Sequence, residues 1–314
     1  TAIIWSNSRT RFAGTLDARG NTDSSLNSQP SSFSSGGAVE ISAANELQHV
    51  GLKNVTLGQG GTLLLDPKNI TITDIASAGS WAFSAIMGLG YGTDSDVSAL
   101  DDNDRFGSSV SLNATGDRLA VGAQFDGGAG NAAPNSGAAY LFSFTDTDFN
   151  NGTLESTIGK GYNNGSKNIN VQLDDDDNFG TSVSLNAAGD RLAVGADDDD
   201  GAGNAASQTG AAYLFSFTDT NFNGGTLEST LGKGYTGGKN VDVASLEGGF
   251  FGDDFGRSVS LNGSGDRLAV GALRDDGVSD AANASGAAYL FSFTDTDFNG
   301  GTLESTIGSG YTGG

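Results

Sequence analysis

Short runs in which apolar and polar residues alternate make up most of the chain, and Gly, Asn and Asp separate them. Val110 and Leu112 are spaced to share one face of a strand, and Tyr213, Phe215 and Phe217 are spaced in the same way. No stretch of a dozen residues has the 3.6-residue apolar period of an amphipathic helix. The pattern therefore predicts an all-β chain of short strands joined by tight turns.

The same pattern recurs three times. Phe-Gly opens each copy at Phe106, Phe179 and Phe255, at spacings of 73 and then 76 residues. Each copy continues through Gly-Asp-Arg-Leu-Ala-Val-Gly-Ala, Gly-Ala-Ala-Tyr-Leu-Phe-Ser-Phe-Thr-Asp and Gly-Thr-Leu-Glu-Ser-Thr. A fixed period of this length indicates a repeat architecture. We predict a first segment, an incomplete repeat with its linker, and three repeats, at residues 1–75, 76–105, 106–178, 179–254 and 255–314.

Each copy is expected to form four antiparallel strands, the arrangement of one β-propeller blade. A single sheet of this kind cannot bury both faces, so it must pack on its neighbours. The incomplete repeat matches the end of a copy, with Trp81 and Phe83 in the places of Tyr213 and Phe215, and it lacks the first two strands. The count of about three and a half copies leaves open whether the array closes, continues or is completed by another chain.

Residues 1–75 differ from the repeats. Their short strands, at intervals of roughly 10 to 20 residues and broken by Gly and Asn, are typical of successive β-solenoid coils. The predicted fold class is therefore all-β, with propeller-type blades in tandem after a short β-solenoid segment.

Composition narrows the functional classes. The formal net charge of −23 disfavours nucleic acid as a partner, because that binding depends on Lys and Arg at phosphates. The chain has no cysteine and no apolar run long enough for a membrane span. The single histidine, His49, lies outside the repeats, so a repeated Ser-His-Asp site is excluded. We expect a non-catalytic protein that does not insert into membranes.

The copies resemble FG-GAP repeats, the blades of the integrin alpha chain propeller and of many bacterial surface proteins. Phe-Gly opens each copy and Val-Gly-Ala follows its second strand, but the Pro expected next is replaced by Gln124, Asp197 and Leu273. Calcium loops of that family usually lie between the first two strands. Here the link is only Asn186 to Asp190, so the family's calcium site does not carry over to this hairpin.

The first segment is similar to the filamentous haemagglutinin family of secreted bacterial adhesins. The similarity covers residues 11–17 and about 36–72, including Gly-Thr-Leu-Leu-Leu-Asp-Pro-Lys-Asn-Ile-Thr-Ile from Gly61. It implies a right-handed β-helix, export through the outer membrane of a Gram-negative bacterium, and adhesion. The absence of cysteine suits a chain that crosses a membrane unfolded.

The leading metal candidate is the third turn of each copy, where alternate oxygen-bearing side chains precede Gly or Asn and a Glu follows. This spacing is the start of a calcium loop. The alternative is a polar hairpin turn, since Asn-Gly forms one without a metal. The candidate calcium ligands are Asp146, Asp148, Asn150 and Glu155 in the first copy, Asp219, Asn221, Asn223 and Glu228 in the second, and Asp295, Asp297, Asn299 and Glu304 in the third.

A second set of acidic residues follows Val-Gly-Ala in each copy. Carboxylates around a Gly turn can bind calcium, although a flexible acidic loop has the same composition. This set is Asp126 with Asn131, Asp199 with Asn204, and Asp275 with Asp280. The acidic runs 101–104 and 174–177 are interpreted as solvated linkers that could also meet a neighbouring blade's turn.

These observations lead to three functional hypotheses. The first is a secreted bacterial surface adhesin or extracellular structural protein, stiffened by calcium, that binds an unidentified host or cell-surface protein or glycan. The second is a subunit of an extracellular filament, in which open repeat ends self-associate by strand complementation. The third and most remote is a polysaccharide-active enzyme, for which no carboxylate pair stands out.

Overall fold

The computed structural model divides the chain into two compact units, Thr1–Phe83 and Ser84–Gly314. In the first unit the structure describes the backbone of residues 2–6, 9–11, 16–17, 38–48, 55–56 and 62–71, and in the second it describes residues 85–90, 97–246 and 252–312. His49, Trp81, Phe83 and much of the predicted solenoid segment and incomplete repeat lie outside these residues.

The first unit pairs its strands in parallel. Its strands are β1 (Ala2–Ser6), β2 (Arg9–Arg11), β3 (Leu16–Asp17), β4 (Ala38–Gln48), β5 (Val55–Thr56) and β6 (Thr62–Thr71). Strand β4 pairs with β1, β2 and β6, and β3 pairs with β5, always in parallel. Parallel pairing between strands well separated in sequence is what stacked solenoid coils require.

The second unit contains three tandem antiparallel sheets, which we call blades 1 to 3. Blade 1 is β7 (Phe106–Leu112), β8 (Arg118–Ala123), β9 (Ala138–Ser143) and β10 (Thr153–Gly159), extended by β11 (Ile169–Asn170). Blade 2 is β12 (Phe179–Leu185), β13 (Arg191–Ala196), β14 (Ala211–Ser216) and β15 (Thr226–Gly232), extended by β16 (Val241–Asp242). Blade 3 is β17 (Phe255–Leu261), β18 (Arg267–Ala272), β19 (Ala287–Ser292) and β20 (Thr302–Gly308).

Each blade is a meander in which consecutive strands are neighbours. The prediction of an all-β chain with four-stranded, propeller-type blades in tandem is confirmed. The short strands β11 and β16 were not predicted. They run parallel to the fourth strands β10 and β15 of the blades that precede them in sequence.

The hydrophobic cores lie between blades because alternate side chains of a strand point to opposite faces. Tyr213, Phe215 and Phe217 pack with residues of blade 1, whereas Ala212 and Leu214 of the same strand pack with blade 3. The predicted shared face of the three aromatic residues is therefore confirmed.

The Phe-Gly pair that opens a copy has a structural role at this junction. The Phe179 ring packs edge-on against Tyr213 and Phe215, with centroids 5.4 and 6.2 Å away. Gly180 has a φ of 92°, and a Cβ there would lie 2.3 Å from the carbonyl oxygen of Ala138 in blade 1. A larger residue would therefore be strained and would also force the blades apart.

Candidate functional site

The third turn of each blade is closed by its own aspartate. In blade 2, Asp219 Oδ1 accepts the backbone N–H groups of Asn221 and Asn223 at 2.9 and 3.3 Å. Asn223 Nδ2 donates to Asp219 Oδ2 at 2.8 Å, and this bond lowers the pKa of the Asp219 carboxyl. The equivalent bonds join Asp146 to Asn150 and Asp295 to Asn299. The aspartate that begins each candidate loop thus stabilises a polar turn.

Cationic side chains from the preceding blade bind this turn. Arg118 of blade 1 donates from Nη2 to Asn221 Oδ1 at 2.9 Å and from Nε to the Thr220 carbonyl. Lys167, in the segment that follows blade 1, donates to the Asn221 carbonyl at 2.8 Å. We call this arrangement the clasp.

The clasp recurs between blades 2 and 3. Arg191 donates to Asp297 Oδ1 at 2.9 Å, and Lys239 donates to the Asp297 carbonyl at 2.7 Å. The middle position of the candidate calcium loop is therefore occupied in blades 2 and 3 by cations of the chain itself.

The glutamates of the candidate loops bind within their own blades. Glu155 accepts hydrogen bonds from Ser143 Oγ and from Lys167 Nζ. Burial opposes ionisation of Glu155, but these two donors outweigh it and lower its pKa. Glu228 is bound in the same way by Ser216 and Lys239. In the third blade, Ser292 Oγ donates to Glu304.

These contacts bear on whether the third turns suit calcium. In blades 2 and 3, an ion would have to displace an arginine and a lysine from the turn. In blade 1, Asp148 is exposed, while Asp146 already bonds Asn150 and two backbone amides. In the part of the chain that the structure describes, no three Asp, Glu or His side chains are grouped closely enough to hold a metal. The calcium ligands named for these turns stay a prediction.

The second acidic set is built into the blades. Asp199 is buried, and it accepts hydrogen bonds from the hydroxyls of Tyr213 at 2.6 Å and Tyr235 at 3.0 Å and from the Gly201 N–H at 2.8 Å. Burial raises the pKa of this carboxyl, while the three donors act against the rise. The same arrangement joins Asp126 to Tyr140 and Tyr162, and Asp275 to Tyr289 and Tyr311.

The partners proposed for these aspartates form the next turn of the loop. Asn131, Asn204 and Asp280 have φ values of 54°, 56° and 54°, a conformation that Asn and Asp adopt more readily than other non-glycine residues. Their backbone N–H groups donate to the carbonyls of Gly128, Gly201 and Gly277, respectively. These backbone contacts are those of turn residues, and Asn131 Nδ2 also donates to Asp101 Oδ2 at 2.8 Å.

The acidic runs before Phe-Gly are only partly solvated, which corrects the prediction of solvated linkers. Asp104 and Asp177 are buried, and each accepts the backbone N–H of the residue three positions earlier at 2.6 Å. Burial, assisted by the nearby Asp199 carboxylate, raises the pKa of Asp177 to about 8. The chain thus brings the end of each acidic run close to the buried aspartate of the same blade.

Several residues that hold these clusters together were not predicted. They are Tyr140, Tyr162, Tyr213, Tyr235, Tyr289 and Tyr311 around the buried aspartates, and Arg118, Arg191, Lys167 and Lys239 in the clasps. A signal for the tyrosines was present, because each copy repeats them at the same two positions. The clasps join residues 54 to 106 positions apart in the sequence, which no local pattern reveals.

One residue that differs from the FG-GAP motif forms an ion pair between two blades. Asp197, which stands where Pro is expected, forms an ion pair with Arg257 of blade 3 at 2.8 Å. Arg274 pairs with Asp254 at 3.2 Å beside it. Neither the first nor the third copy has an acidic residue at the position of Asp197. This ion pair therefore belongs to the junction between blades 2 and 3.

Comparison with protein families agrees with this architecture. The model of the FG-GAP repeat matches residues 93–142, 173–215 and 247–291. The family model thus detects three FG-GAP repeats in the chain. Each matched segment begins in the linker and ends in the third strand of its blade, so it includes the Phe-Gly pair and the buried aspartate. No curated protein matches the chain. The described residues contain no helix with the length and apolarity of a membrane span.

Proposed function

We propose that this chain is a non-catalytic, secreted adhesion or structural protein of the bacterial cell surface. FG-GAP repeats support a repeat-based adhesion or extracellular structural role. The observation that carries the proposal is the clasp, because the same Arg and Lys pair ties each blade to the next. The polar residues that recur in every copy thus have structural partners within the array.

Secretion and bacterial origin are supported by composition and resemblance. The acidic, cysteine-free sequence suits an exported protein, and the first segment is similar to secreted adhesins. The parallel strands of the first unit agree with the β-helix that this similarity implies. The test is detection of the protein on intact cells of its source and in their medium, and confinement to the cell interior would contradict the proposal.

Adhesion is tested by binding to immobilised host proteins and polysaccharides, with product analysis of the same polysaccharides. The proposal expects saturable binding if the role is adhesive and no binding if the role is purely mechanical. In both cases it expects no release of shorter saccharides. Catalytic release of products would contradict it. The matched control is a chain with Gly195→Val, because any side chain at Gly195 would collide with the Gly256 carbonyl oxygen of blade 3. This change should reduce any binding that needs the assembled array.

Stabilisation by calcium stays a prediction. Its best candidate site is the third turn of blade 1, because arginine and lysine side chains already bind the third turns of blades 2 and 3. A ligand that binds only the folded state must raise the melting midpoint. If calcium binds this turn, adding calcium raises the midpoint of the chain and has less effect on Asp146→Asn than on Asp102→Asn, a change at an exposed linker position. Identical melting curves with calcium and with a chelator would remove the metal from the account.

Filament formation is a second candidate, favoured by one specific observation. Val110, in the first strand of blade 1, is 64% exposed, although its counterpart Val183 in blade 2 is buried. The first strand of blade 1 thus exposes a surface that is covered on the first strand of blade 2.

A further inference from the structure

The exposed strand of blade 1 corresponds to a strand that blade 2 buries. Val110 and Leu112 are 64% and 46% exposed, whereas Val183 and Leu185 are each 6% exposed. The four residues lie at matching positions of the repeat. Since the sequences are nearly the same, the difference must come from what packs against the strand.

In blade 2, the cover is the hairpin made by the first two strands of blade 1. Ser109 Oγ and Ser111 Oγ of β7 accept the backbone N–H groups of Val183 and Leu185, each at 2.9 Å. On β8, a Cβ at Gly122 would lie 1.9 Å from the carbonyl oxygen of Gly180. A covering hairpin therefore needs hydroxyls on its first strand and a glycine on its second.

The next junction repeats these requirements. Ser184 Oγ accepts the Leu261 N–H at 2.9 Å, and a Cβ at Gly195 would lie 1.9 Å from the Gly256 carbonyl oxygen. Two independent junctions in one chain thus use the same chemistry to cover a first strand.

The described end of the incomplete repeat, residues 85–90, packs beside blade 1. Its Gly88 carbonyl accepts the Val97 N–H at 3.1 Å, as the Gly159 carbonyl accepts the Val171 N–H after blade 1. Met87 packs against the core that contains Val97. The end of a fourth strand is therefore in its blade position here, while the sequence of the incomplete repeat lacks the first two strands. The missing part is the hairpin that would cover Val110 and Leu112.

The third turn of blade 1 presents a carboxylate at the position where an arginine binds in blades 2 and 3. Asp148 is exposed and stands where Asn221 and Asp297 accept hydrogen bonds from Arg118 and Arg191. A hairpin of the repeat's own sequence carries this arginine at the start of its second strand. Its binding would complete a third clasp.

We propose that the exposed first strand of blade 1 is an acceptor for a two-stranded β-hairpin of the FG-GAP type, donated by another polypeptide. The hairpin supplies serines to the Val110 and Leu112 amides, a glycine beside the Gly107 carbonyl, and an arginine to Asp148. Binding covers Val110 and Leu112 as blade 1 covers Val183 and Leu185. This is an assembly function, and it extends the filament candidate without depending on adhesion.

The experiment uses the absence of cysteine from the chain. Val110→Cys in the full chain gives a single thiol, and Leu273→Cys, at a position 56% exposed on blade 3, gives the matched control. The probe is a head-to-tail cyclised peptide that copies residues 179–197, so that it is held as a hairpin before binding. The measured quantity is the rate of thiol labelling as the peptide is added.

The proposal expects the peptide to slow labelling of Val110→Cys by about tenfold or more at saturation and to leave Leu273→Cys unchanged. A peptide with Gly195→Val should not protect. Adding Asp148→Arg to the chain should weaken protection, and a peptide with Arg191→Glu should restore it. Unchanged labelling at millimolar peptide, or equal protection by the Gly195→Val peptide, would overturn the proposal. Failure here leaves the adhesion test untouched, since that test measures a different ligand.

Discussion

Blades 2 and 3 share most of their sequence but differ in how far they are buried. Ala193, Leu214 and Leu231 on the outgoing face of blade 2 are fully buried, because blade 3 packs on them. On the same face of blade 3, Ile307 is 60% exposed. The comparison shows that the neighbouring blade, more than the local sequence, decides burial. This is the behaviour of a repeat array, in which each unit is stabilised by its nearest neighbours.

The largest effect should come from placing a methyl group at Gly195, beside the backbone of blade 3. Gly195→Ala puts a Cβ 1.9 Å from the Gly256 carbonyl oxygen, which is backbone and cannot move away cheaply. We expect a loss of about 3 kcal/mol in unfolding free energy. Denaturant unfolding followed separately in blades 2 and 3 measures it, because an array need not unfold in one step.

Gly271→Ala is the matched control in blade 3. Both glycines have a serine Oγ 2.4 Å from the added Cβ. At Gly271 the nearest carbonyl oxygen, that of Ser258, is 3.9 Å away, against 1.9 Å for the Gly256 oxygen at Gly195. A serine side chain can rotate, so we expect a loss below about 1 kcal/mol. Equal losses at the two positions would show that the junction contributes nothing specific.

A smaller, pH-dependent effect is expected at Asp177. Its folded pKa of about 8 lies above the unfolded value, so the folded state keeps a proton that the unfolded state releases. The stabilisation from this group is complete below the unfolded pKa and is lost as pH rises towards 8. Asp177→Asn cannot release a proton, so its stability relative to the natural chain should increase between about pH 4 and pH 8.

Urea unfolding at several pH values measures this difference. Asp175→Asn, which removes a carboxyl from an exposed position of the same run, serves as the control. A constant difference between Asp177→Asn and the natural chain over this range would contradict the assignment of a protonated, buried carboxyl.

The smallest effect should come from the clasp. Arg191→Ala removes the bonds to Asp297 and the Thr296 carbonyl, and we expect a loss of about 1 kcal/mol that decreases at high salt. The Arg267 side chain is 56% exposed against 12% for Arg191, so Arg267→Ala should cost less than about 0.5 kcal/mol. Melting midpoints at low and high salt compare the two, and a larger loss at Arg267 would contradict the clasp.

Sequence reasoning predicted the parts of the fold that depend on periodicity. The repeat length, the four strands of a blade and the common face of Tyr213, Phe215 and Phe217 follow from spacing, because strands alternate and repeats recur. The two-residue strands β11 and β16 are too short to give a pattern.

The candidate site was harder to predict because its contacts are distant in sequence. The third-turn motif predicts a turn that begins at the aspartate. It does not predict that Asn221 in that turn binds Arg118 of another blade. Composition also misled the interpretation of 174–177, because a run of four aspartates looks solvated. Asp177 is nevertheless buried where the chain folds back beside Asp199.

Hydrogen exchange of individual amides in β13–β14 and β18–β19 tests the central claim most directly. These strands have the same sequences, RLAVGA and AAYLFS, in blades 2 and 3. If neighbours determine stability, the amides of blade 2 exchange more slowly than their counterparts in blade 3, and Gly195→Ala removes most of that difference. Equal protection in the two blades would contradict the account.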